Sequence, residues 1–440
     1  MIKLWKISDL PSQFLEDRVR FSPKWVEGLE DYVKGIVDEI RKSGDKALIN
    51  FIKRYDGVET DIENFLADKG EMDRAYDCVK EEEISALNFS KKRIEDFQGS
   101  ILKRLKFSWY DRERGVRVRN LALPIESVGC YVPGGYSPYP SSLLMTVVPA
   151  KVAGVPRVAV CSPPMGDGKL NPILLVAADI CGVNEIYKMG GAHAIAALAY
   201  GTESVKPVKK IVGPGNRYVT TAKMLVSRDV AIDMPAGPSE VLVLADDSAD
   251  PYFIALDLIA QAEHSPESVC GLVTTSKELA DKVVSGLKKM VPNIGRADVV
   301  IKALTQNGFV VICNNNDEAV DFINDFAPEH LEIIMERFDR VIRRIRSSGM
   351  IFLGPYSPVP SGDYCIGTNH VLPTGGSAKV YSNLSVMDFT KRVSMVKCSK
   401  EGLRRMMNPI STLARSEGLT NHALAVEERF KTSSSRSRPK

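Results

Sequence analysis

The five histidines of this 440-residue chain all stand in short polar motifs. They are His193 in GGAHA, His264 in QAEHSP, His330 in APEHL, His370 in GTNHVLPT and His422 in EGLTNH. Four of the five have a carboxylate or a carboxamide within five positions. Imidazole, carboxylate and amide groups bind divalent metals and move protons near neutral pH. The pattern therefore predicts an enzyme with a metal site and an acid/base pair.

The segment DPYFIALDLIAQAEHSP predicts a buried helix, because it is almost wholly apolar between a capping Asp-Pro pair and a terminating Ser-Pro pair. Its two late polar residues, Gln261 and His264, are three apart and share one helix face. One interpretation is a polar pair satisfied by core hydrogen bonds. The other is a pair of metal ligands, with Asp363 of the SGDY loop and His422 completing a set of four.

The adjacent pair Glu329-His330 is predicted to lie where a helix gives way to a strand, between EAVDFINDFAP and LEIIM. Neighbouring acid and imidazole side chains suit proton transfer and activation of water. A solvated surface pair is the alternative interpretation.

Two glycine loops follow predicted strands, PGG after Val132 and GPGN after Val212. Ligands bind at the carboxyl ends of strands in open α/β sheets, and exposed amides at a helix start suit phosphate. Neither loop completes GxGxxG, since Tyr218 stands where the third glycine of the second loop belongs. A phosphate site and a simple tight turn both remain open.

Short apolar strands alternate with helices over 126–233 and again over 240–354. This alternation predicts right-handed βαβ units and two Rossmann-like parallel sheets covered on both faces, an α/β fold. Helices are also predicted near 25–44, ending at a glycine, and near 79–97.

Composition excludes several classes of partner and location. The 58 basic and 55 acidic residues give a net charge of +3, so no nucleic acid or membrane partner is expected. No apolar run reaches the length of a membrane span, and the N-terminus is too polar for a signal peptide. The eight cysteines form no CxxC pair and lie mostly in apolar segments. Buried free thiols in a reducing cytoplasm are expected.

Taken together, the motifs resemble the histidinol dehydrogenase family. They run in that family's order from about 127 to 422: VGCYVPGG, GGAHAIAALAYGT, VGPGNRYVTTAK, IDMPAGPSEVLVLAD, QAEHSPES, APEHLE, SGDYCIGTNHVLPTGG and SEGLTNH. The resemblance implies a cytoplasmic enzyme of histidine biosynthesis that depends on Zn²⁺. Such an enzyme oxidises L-histidinol to L-histidine through bound L-histidinaldehyde, with two NAD-linked hydride transfers.

The resemblance also implies roles for individual residues. Zinc would be held by Gln261, His264, Asp363 and His422. Substrate would contact these four ligands together with Ser239, His330, His370 and Glu417. The acid/base pair would be Glu329 and His330. The dinucleotide would contact Tyr131, His193 and Asn216.

The implied organisation has two α/β domains and two small terminal parts. It runs as an N-terminal segment 1–29, a first α/β domain 30–126 with 239–384, a second, NAD-binding α/β domain 127–238, a C-terminal dimerisation segment 385–431 and a disordered tail 432–440. The resemblance implies a homodimer in which the C-terminal segment crosses to complete the partner's site.

Two positions depart from the family pattern. His193 replaces a common glutamine at a dinucleotide contact, and Val359 stands where some members carry a glutamate near the substrate. Two other functions stay in view. One is a dehydrogenase on the same scaffold that oxidises another primary alcohol, such as a sulfonated diol. The other is a non-catalytic nucleotide- or metal-binding protein, which would not need the intact Glu329-His330 pair.

Overall fold

A computed structural model describes residues 2–11, 13–15, 28–61, 64–134 and 137–431. Two compact units divide the described residues: those within Met1–Gly99 and Ile125–Phe389 form the first, and those within Ser100–Pro124 and Thr390–Lys440 form the second. The predicted tail 432–440 and much of the predicted N-terminal segment 1–29 lie outside the described residues.

The strands and helices alternate through most of the chain. The strands are β1 Lys3–Lys6, β2 Phe107–Asp111, β3 Val116–Pro124, β4 Ser127–Tyr131, β5 Arg157–Ser162, β6 Glu185–Lys188, β7 Lys210–Val212, β8 Ala231–Ile232, β9 Glu240–Ala245, β10 Val269–Thr274, β11 Phe309–Ile312, β12 His330–Ile334, β13 Met350–Leu353 and β14 Thr390–Cys398. The α-helices are α1 Leu29–Phe51, α2 Lys69–Ala75, α3 Glu81–Leu105, α4 Pro140–Ala153, α5 Pro172–Ile180, α6 Gly191–Tyr200, α7 Arg217–Val226, α8 Pro251–Ala262, α9 Lys277–Met290, α10 Ala297–Gln306, α11 Asn316–Phe326, α12 Asp339–Ile342, α13 Val359–Tyr364, α14 Lys400–Ser416 and α15 Thr420–Glu427.

The first unit contains two parallel sheets, as predicted. One has six strands in the order β1-β11-β10-β9-β12-β13, and the other has five in the order β6-β5-β4-β7-β8. Every strand predicted over 126–354 is present. The edge strand β1 was not predicted, because KLWK is short and half polar and gains its strand pairing only from the distant β11.

The six-stranded sheet is covered on both faces, because successive side chains of a strand point to opposite sides. Val241 and Val243 pack in one buried cluster with α8, α9 and α10. Leu242 and Leu244 pack in another with α11. A near-continuous apolar strand such as VLVLA is typical of a sheet buried on both faces.

The two helices predicted before residue 100 are confirmed with different ends. In the first, α1, the backbone leaves the helical conformation at the predicted stop, Gly44, with φ of 53° and ψ of −133°, and a second helical part continues beyond this kink to Phe51. Glycine tolerates this left-handed backbone because it has no Cβ. The second, α3, extends beyond its predicted end to Leu105.

The second unit contains a three-stranded antiparallel sheet in the order β14-β3-β2, followed in the chain by α14 and α15. This sheet was not predicted, because it joins segments more than 250 residues apart in the sequence. A bidentate ion pair between Arg415 and Glu427 joins the two helices at 2.7 and 2.9 Å.

The predictions about cysteines and membrane spans can also be compared with the structure. All eight cysteines are free, and five of them are buried. Burial raises the pKa of the Cys130 thiol, beside the first glycine loop, to about 12, so this thiol stays protonated at neutral pH. Within the described ranges, no helix combines the length and the apolarity needed to span a bilayer.

Candidate functional site

The predicted acid/base pair lies at the amino-terminal edge of the six-stranded sheet. His330 is the first residue of β12 and pairs with Val241 of β9 and Met350 of β13. Ser239 directly precedes β9, so it belongs to the same edge. Helix α8 leads from β9 back to the start of β10, which brings its last turn, with Gln261, to this edge as well.

Local backbone geometry turns the chain sharply into Glu329. Helix α11 ends at Ala327, which adopts a left-handed conformation with φ of 51°, and Pro328 then prevents further helix. Gly349 passes so close that a Cβ there would lie 2.6 Å from the Glu329 carbonyl oxygen. The Glu329 backbone is therefore fixed from both sides.

The backbone of one residue, Glu240, orients both members of the acid/base pair. Its N–H donates to Glu329 Oε2 at 2.6 Å, and its carbonyl oxygen lies 2.9 Å from His330 Nδ1. A carbonyl can only accept, so Nδ1 carries a proton. The other nitrogen, Nε2, has no hydrogen-bond partner among the residues described and lies 3.8 Å from Asp363 Oδ1. This arrangement leaves Nε2 as the reactive nitrogen.

Burial and charge set the protonation of the pair. Burial raises the pKa of Glu329, although His330 and the Glu240 N–H oppose this rise. For His330, burial lowers the pKa, but the charge and hydrogen bond of Glu329 and the charge of Asp363 outweigh it and raise the pKa to about 9. The imidazole ring therefore holds a proton on both nitrogens at neutral pH, with Nε2 facing Asp363.

Gln261 lies in the last turn of α8, a helix that begins where the sequence predicts. Asp250 caps it by accepting from the Tyr252 N–H at 2.8 Å, and Pro251 occupies its first turn. The Gln261 side chain is 2% exposed, and neither amide atom has a hydrogen-bond partner among the described side chains and backbone. A buried amide without partners costs about 1–3 kcal/mol. The structure thus gives no support to the interpretation of Gln261 as satisfied by core hydrogen bonds.

Asp363 and His370 meet beside His330. The His370 Nδ1 lies 3.0 Å from the Asp363 backbone oxygen and 3.9 Å from its Oδ1, and Nε2 lies 3.2 Å from Ser142 Oγ. Burial lowers the pKa of His370, Asp363 opposes that effect, and the nearby His330 and His264 add to it. His330 and His370 therefore flank one carboxylate, and His264 lies near enough to His370 to influence its pKa.

These donors fit a zinc ion, which accepts imidazole nitrogen and carboxylate oxygen. The unpartnered Gln261 amide adds a further oxygen. Among the described residues, no three His, Cys, Asp or Glu side chains stand in a geometry that could hold a metal. Glutamine is outside that class, and His422 lies on α15 of the second unit, as Glu417 lies between α14 and α15.

The three residues expected at the dinucleotide lie at the carboxyl edge of the five-stranded sheet. The Tyr131 hydroxyl accepts from the Gly191 N–H at 3.2 Å, and Asp56 Oδ2 accepts from the Gly190 N–H at 3.2 Å. His193, 1% exposed, places Nε2 3.1 Å from the same Asp56 oxygen. Tyr131 and His193 thus share one network.

Protein oxygens occupy the first amide of the GPGN loop and two amides at the start of the helix that follows it. Gly213 donates to Asp233 Oδ2 at 2.8 Å, while Asn216 Oδ1 caps α7 by accepting from Tyr218 and Val219. These contacts favour the tight-turn interpretation of this loop over a phosphate site.

Sequence patterns missed several residues of the site. Glu240 is an acidic residue in an otherwise apolar strand, which was a usable signal. Ser142 carried no signal, since it reaches His370 across 228 positions of sequence.

Similarity to known proteins identifies the family of this chain. A model of the histidinol dehydrogenase family matches residues 22–430. The chain belongs to the histidinol dehydrogenase family. It is 43% identical to a histidinol dehydrogenase of Methanothermobacter thermautotrophicus over 97% of this chain and all of that protein. It is 46% identical to one of Methanosarcina mazei, over 91% and 92% of the two chains.

A solved structure agrees with this membership. The crystal structure of histidinol dehydrogenase from Elizabethkingia anophelis superposes with a TM-score of 0.90 at 36% identity, covering 97% of this chain and 98% of that one. The chain is therefore an oxidoreductase of the histidinol dehydrogenase family, which acts in histidine biosynthesis.

Proposed function

We propose that the chain catalyses the zinc-dependent, NAD-linked oxidation of L-histidinol to L-histidine through bound L-histidinaldehyde. The observation that supports this most is the buried Glu329-His330 pair, which the backbone of Glu240 holds facing Asp363. A non-catalytic binding protein would not need this costly arrangement. Oxidation of another primary alcohol is not favoured, because the relatives named above are all histidinol dehydrogenases.

We infer that Gln261, His264, Asp363 and His422 would hold the zinc ion. When bound, zinc would orient the imidazole and amine of the substrate and need not act as a Lewis acid in the oxidations. The unpartnered amide of Gln261 supports this assignment, because a ligand oxygen explains a buried amide that core hydrogen bonds do not.

His330 and Glu329 would carry out the proton transfers. His330 Nε2 would remove the alcohol proton, and Glu329 would activate the water that the aldehyde step consumes. Glu329 and, to a lesser extent, Asp363 raise the pKa of His330, so a cation at Asp363 would neutralise the smaller of these two charges and lower that pKa toward neutrality. The base form of His330 would then be available where it is needed. Ser239, His370 and Glu417 are proposed as further substrate contacts.

NAD would accept a hydride in each oxidation, with Tyr131 and Asn216 proposed as its direct contacts and His193 as an indirect one. His193 contacts Asp56, and its ring stacks on the ring of Tyr55 with 6.0 Å between the two ring centroids, so its side chain is covered. We therefore infer that it acts indirectly, by fixing the Asp56 carboxylate that binds the Gly190 amide. The domain bounds given above are likewise proposed, with 127–238 as the NAD-binding part.

Exchanging Gln261 for methionine should separate metal binding from stability. Methionine has a similar volume and no polar atom to bury, so the metal-free protein should be more stable, by about 1 kcal/mol or more. Zinc affinity and histidinol turnover should both fall. Thermal unfolding of metal-free protein and calorimetric zinc titration would measure the two effects. A loss of stability without metal would refute the view of Gln261 as an unsatisfied ligand.

We propose a homodimer whose C-terminal segment carries His422 and Glu417 into the partner's site. His422→Ala and Glu329→Gln chains, each nearly inactive alone, should regain activity when co-expressed in one dimer. One site of the mixed dimer would then receive both defects and the other neither. If each segment instead completes its own chain's site, every site keeps one defect, and the mixture should stay as inactive as its parents.

A further inference from the structure

A second pair of acidic side chains lies behind the site, on the same strand as His330. Glu332 is two positions after His330 in β12, so the two side chains point to the same face of the sheet. Glu332 is 1% exposed, and burial raises the pKa of its carboxyl group, with the charge of Asp257 on α8 adding to the rise. The proposed chemistry uses neither residue.

Each member of this pair is connected to a predicted metal ligand. Glu332 Oε1 accepts at 2.8 Å from the N–H of Val359, the first residue of α13, and the same short helix carries Asp363. Asp257 stands one helical turn before Gln261, on the same face of α8. The bond from Val359 to Glu332 therefore joins the helix of Asp363 to the strand of His330.

Of the two Glu332 carboxyl oxygens, Oε1 accepts from the Val359 N–H, and Oε2 finds no N–H or O–H donor in the described part of the chain. Burial, reinforced by the charge of Asp257, raises the pKa of Glu332 to about 8. Burial therefore favours the protonated carboxyl group, and Oε1 can accept from the Val359 N–H in either form.

We propose that Glu332 is a positioning residue, which ties the start of α13 to the strand of the catalytic histidine through its bond to the Val359 N–H. This bond holds Asp363 at the position that the metal and substrate require. This role rests on the proposed function only in naming that substrate. Partners that orient metal ligands from outside the coordination shell typically contribute about 10- to 100-fold in metal affinity or activity.

Two variants of similar volume isolate the contact. Glu332→Gln keeps an oxygen that can accept from the Val359 N–H. Glu332→Met has no oxygen at this position and removes the bond. Zinc titration of metal-depleted protein should show Glu332→Met weakened by about 10- to 100-fold and Glu332→Gln within about threefold of wild type. The KM for histidinol should rise in parallel for Glu332→Met. Equal losses in both variants, or unchanged zinc affinity in Glu332→Met, would overturn the proposal.

A control for general destabilisation is Asp45→Ala. Asp45 is a buried carboxylate that accepts from Ser204 Oγ at 2.7 Å, on helix α1 beside the other sheet. It should lower the unfolding temperature and leave zinc affinity and KM unchanged. If Asp45→Ala weakens zinc binding as much as Glu332→Met does, the effect is not positional and the proposal fails.

Should Glu332→Met not fold, Val359→Pro removes the same bond from the donor side. Proline suits the first position of a helix, and Pro358 before it is already extended, with ψ of 154°. Zinc affinity should fall by about tenfold, and an unchanged affinity would contradict the proposal. Zinc binding is measured separately from turnover, so the two proposals can fail separately. If wild-type protein binds zinc but does not oxidise histidinol, the proposed function is wrong, and the zinc titrations of the variants still test the positioning role.

Discussion

His330→Asn should lower the turnover of histidinol by about 10²- to 10⁴-fold, the usual contribution of a positioned acid/base group. The asparagine amide can still donate to the Glu240 carbonyl in place of Nδ1, so the variant loses mainly the nitrogen facing Asp363. Steady-state NADH formation gives kcat, and calorimetry gives histidinol and zinc affinities, which should stay near wild type.

His330→Gln is the matched control for this experiment. It places an amide nearer the position of Nε2 but supplies no base, so its kcat should be as low as that of His330→Asn. If either variant keeps more than about a tenth of the wild-type kcat, His330 is not the base.

Chelation of the metal should abolish turnover and leave the fold in place. The proposed ligands come from distant parts of a chain whose first unit already has large buried apolar clusters on both faces of the six-stranded sheet. The fold therefore does not depend on zinc, unlike small domains that unfold without their metal. Circular dichroism and the unfolding midpoint should change little, while NADH formation stops.

Adding back metals gives the control. Zinc should restore activity, whereas Mg²⁺, which prefers oxygen ligands in octahedral geometry, should not. Full activity in protein shown to be metal-free by elemental analysis would refute the zinc assignment. Unfolding on chelation would refute its purely functional role.

Local patterns in the sequence predicted the parallel strands and the helix that carries Gln261, because both are encoded by short-range features. An apolar run such as VLVLA reports a strand buried on both faces, and Asp250-Pro251 reports a helix start. The antiparallel sheet was not predicted, because β3 pairs with β14, which lies far along the chain.

The chemistry-bearing residues could be named from the sequence, but their supports could not. Glu240 holds Glu329 and His330 across about 90 positions through its backbone, which no side-chain pattern reveals. In the sequence, Asp257 and Glu332 look like ordinary polar residues, and only the fold shows that they lie near each other behind the site. The acid/base pair lies at the amino edge of the six-stranded sheet, while the glycine loops lie at the carboxyl edge of the five-stranded sheet. The rule that ligands bind at the carboxyl ends of parallel strands therefore locates the loops and not the acid/base pair.

The most direct test of the account is the number of NADH molecules formed for each histidinol consumed by the purified protein. With His330 as the proposed base and Glu329 as the carboxylate proposed to activate water, the account predicts two NADH and one L-histidine per histidinol, with no free aldehyde released. Quantitative product analysis alongside absorbance at the NADH band measures both. One NADH per histidinol, with accumulation of the free aldehyde, would contradict the account.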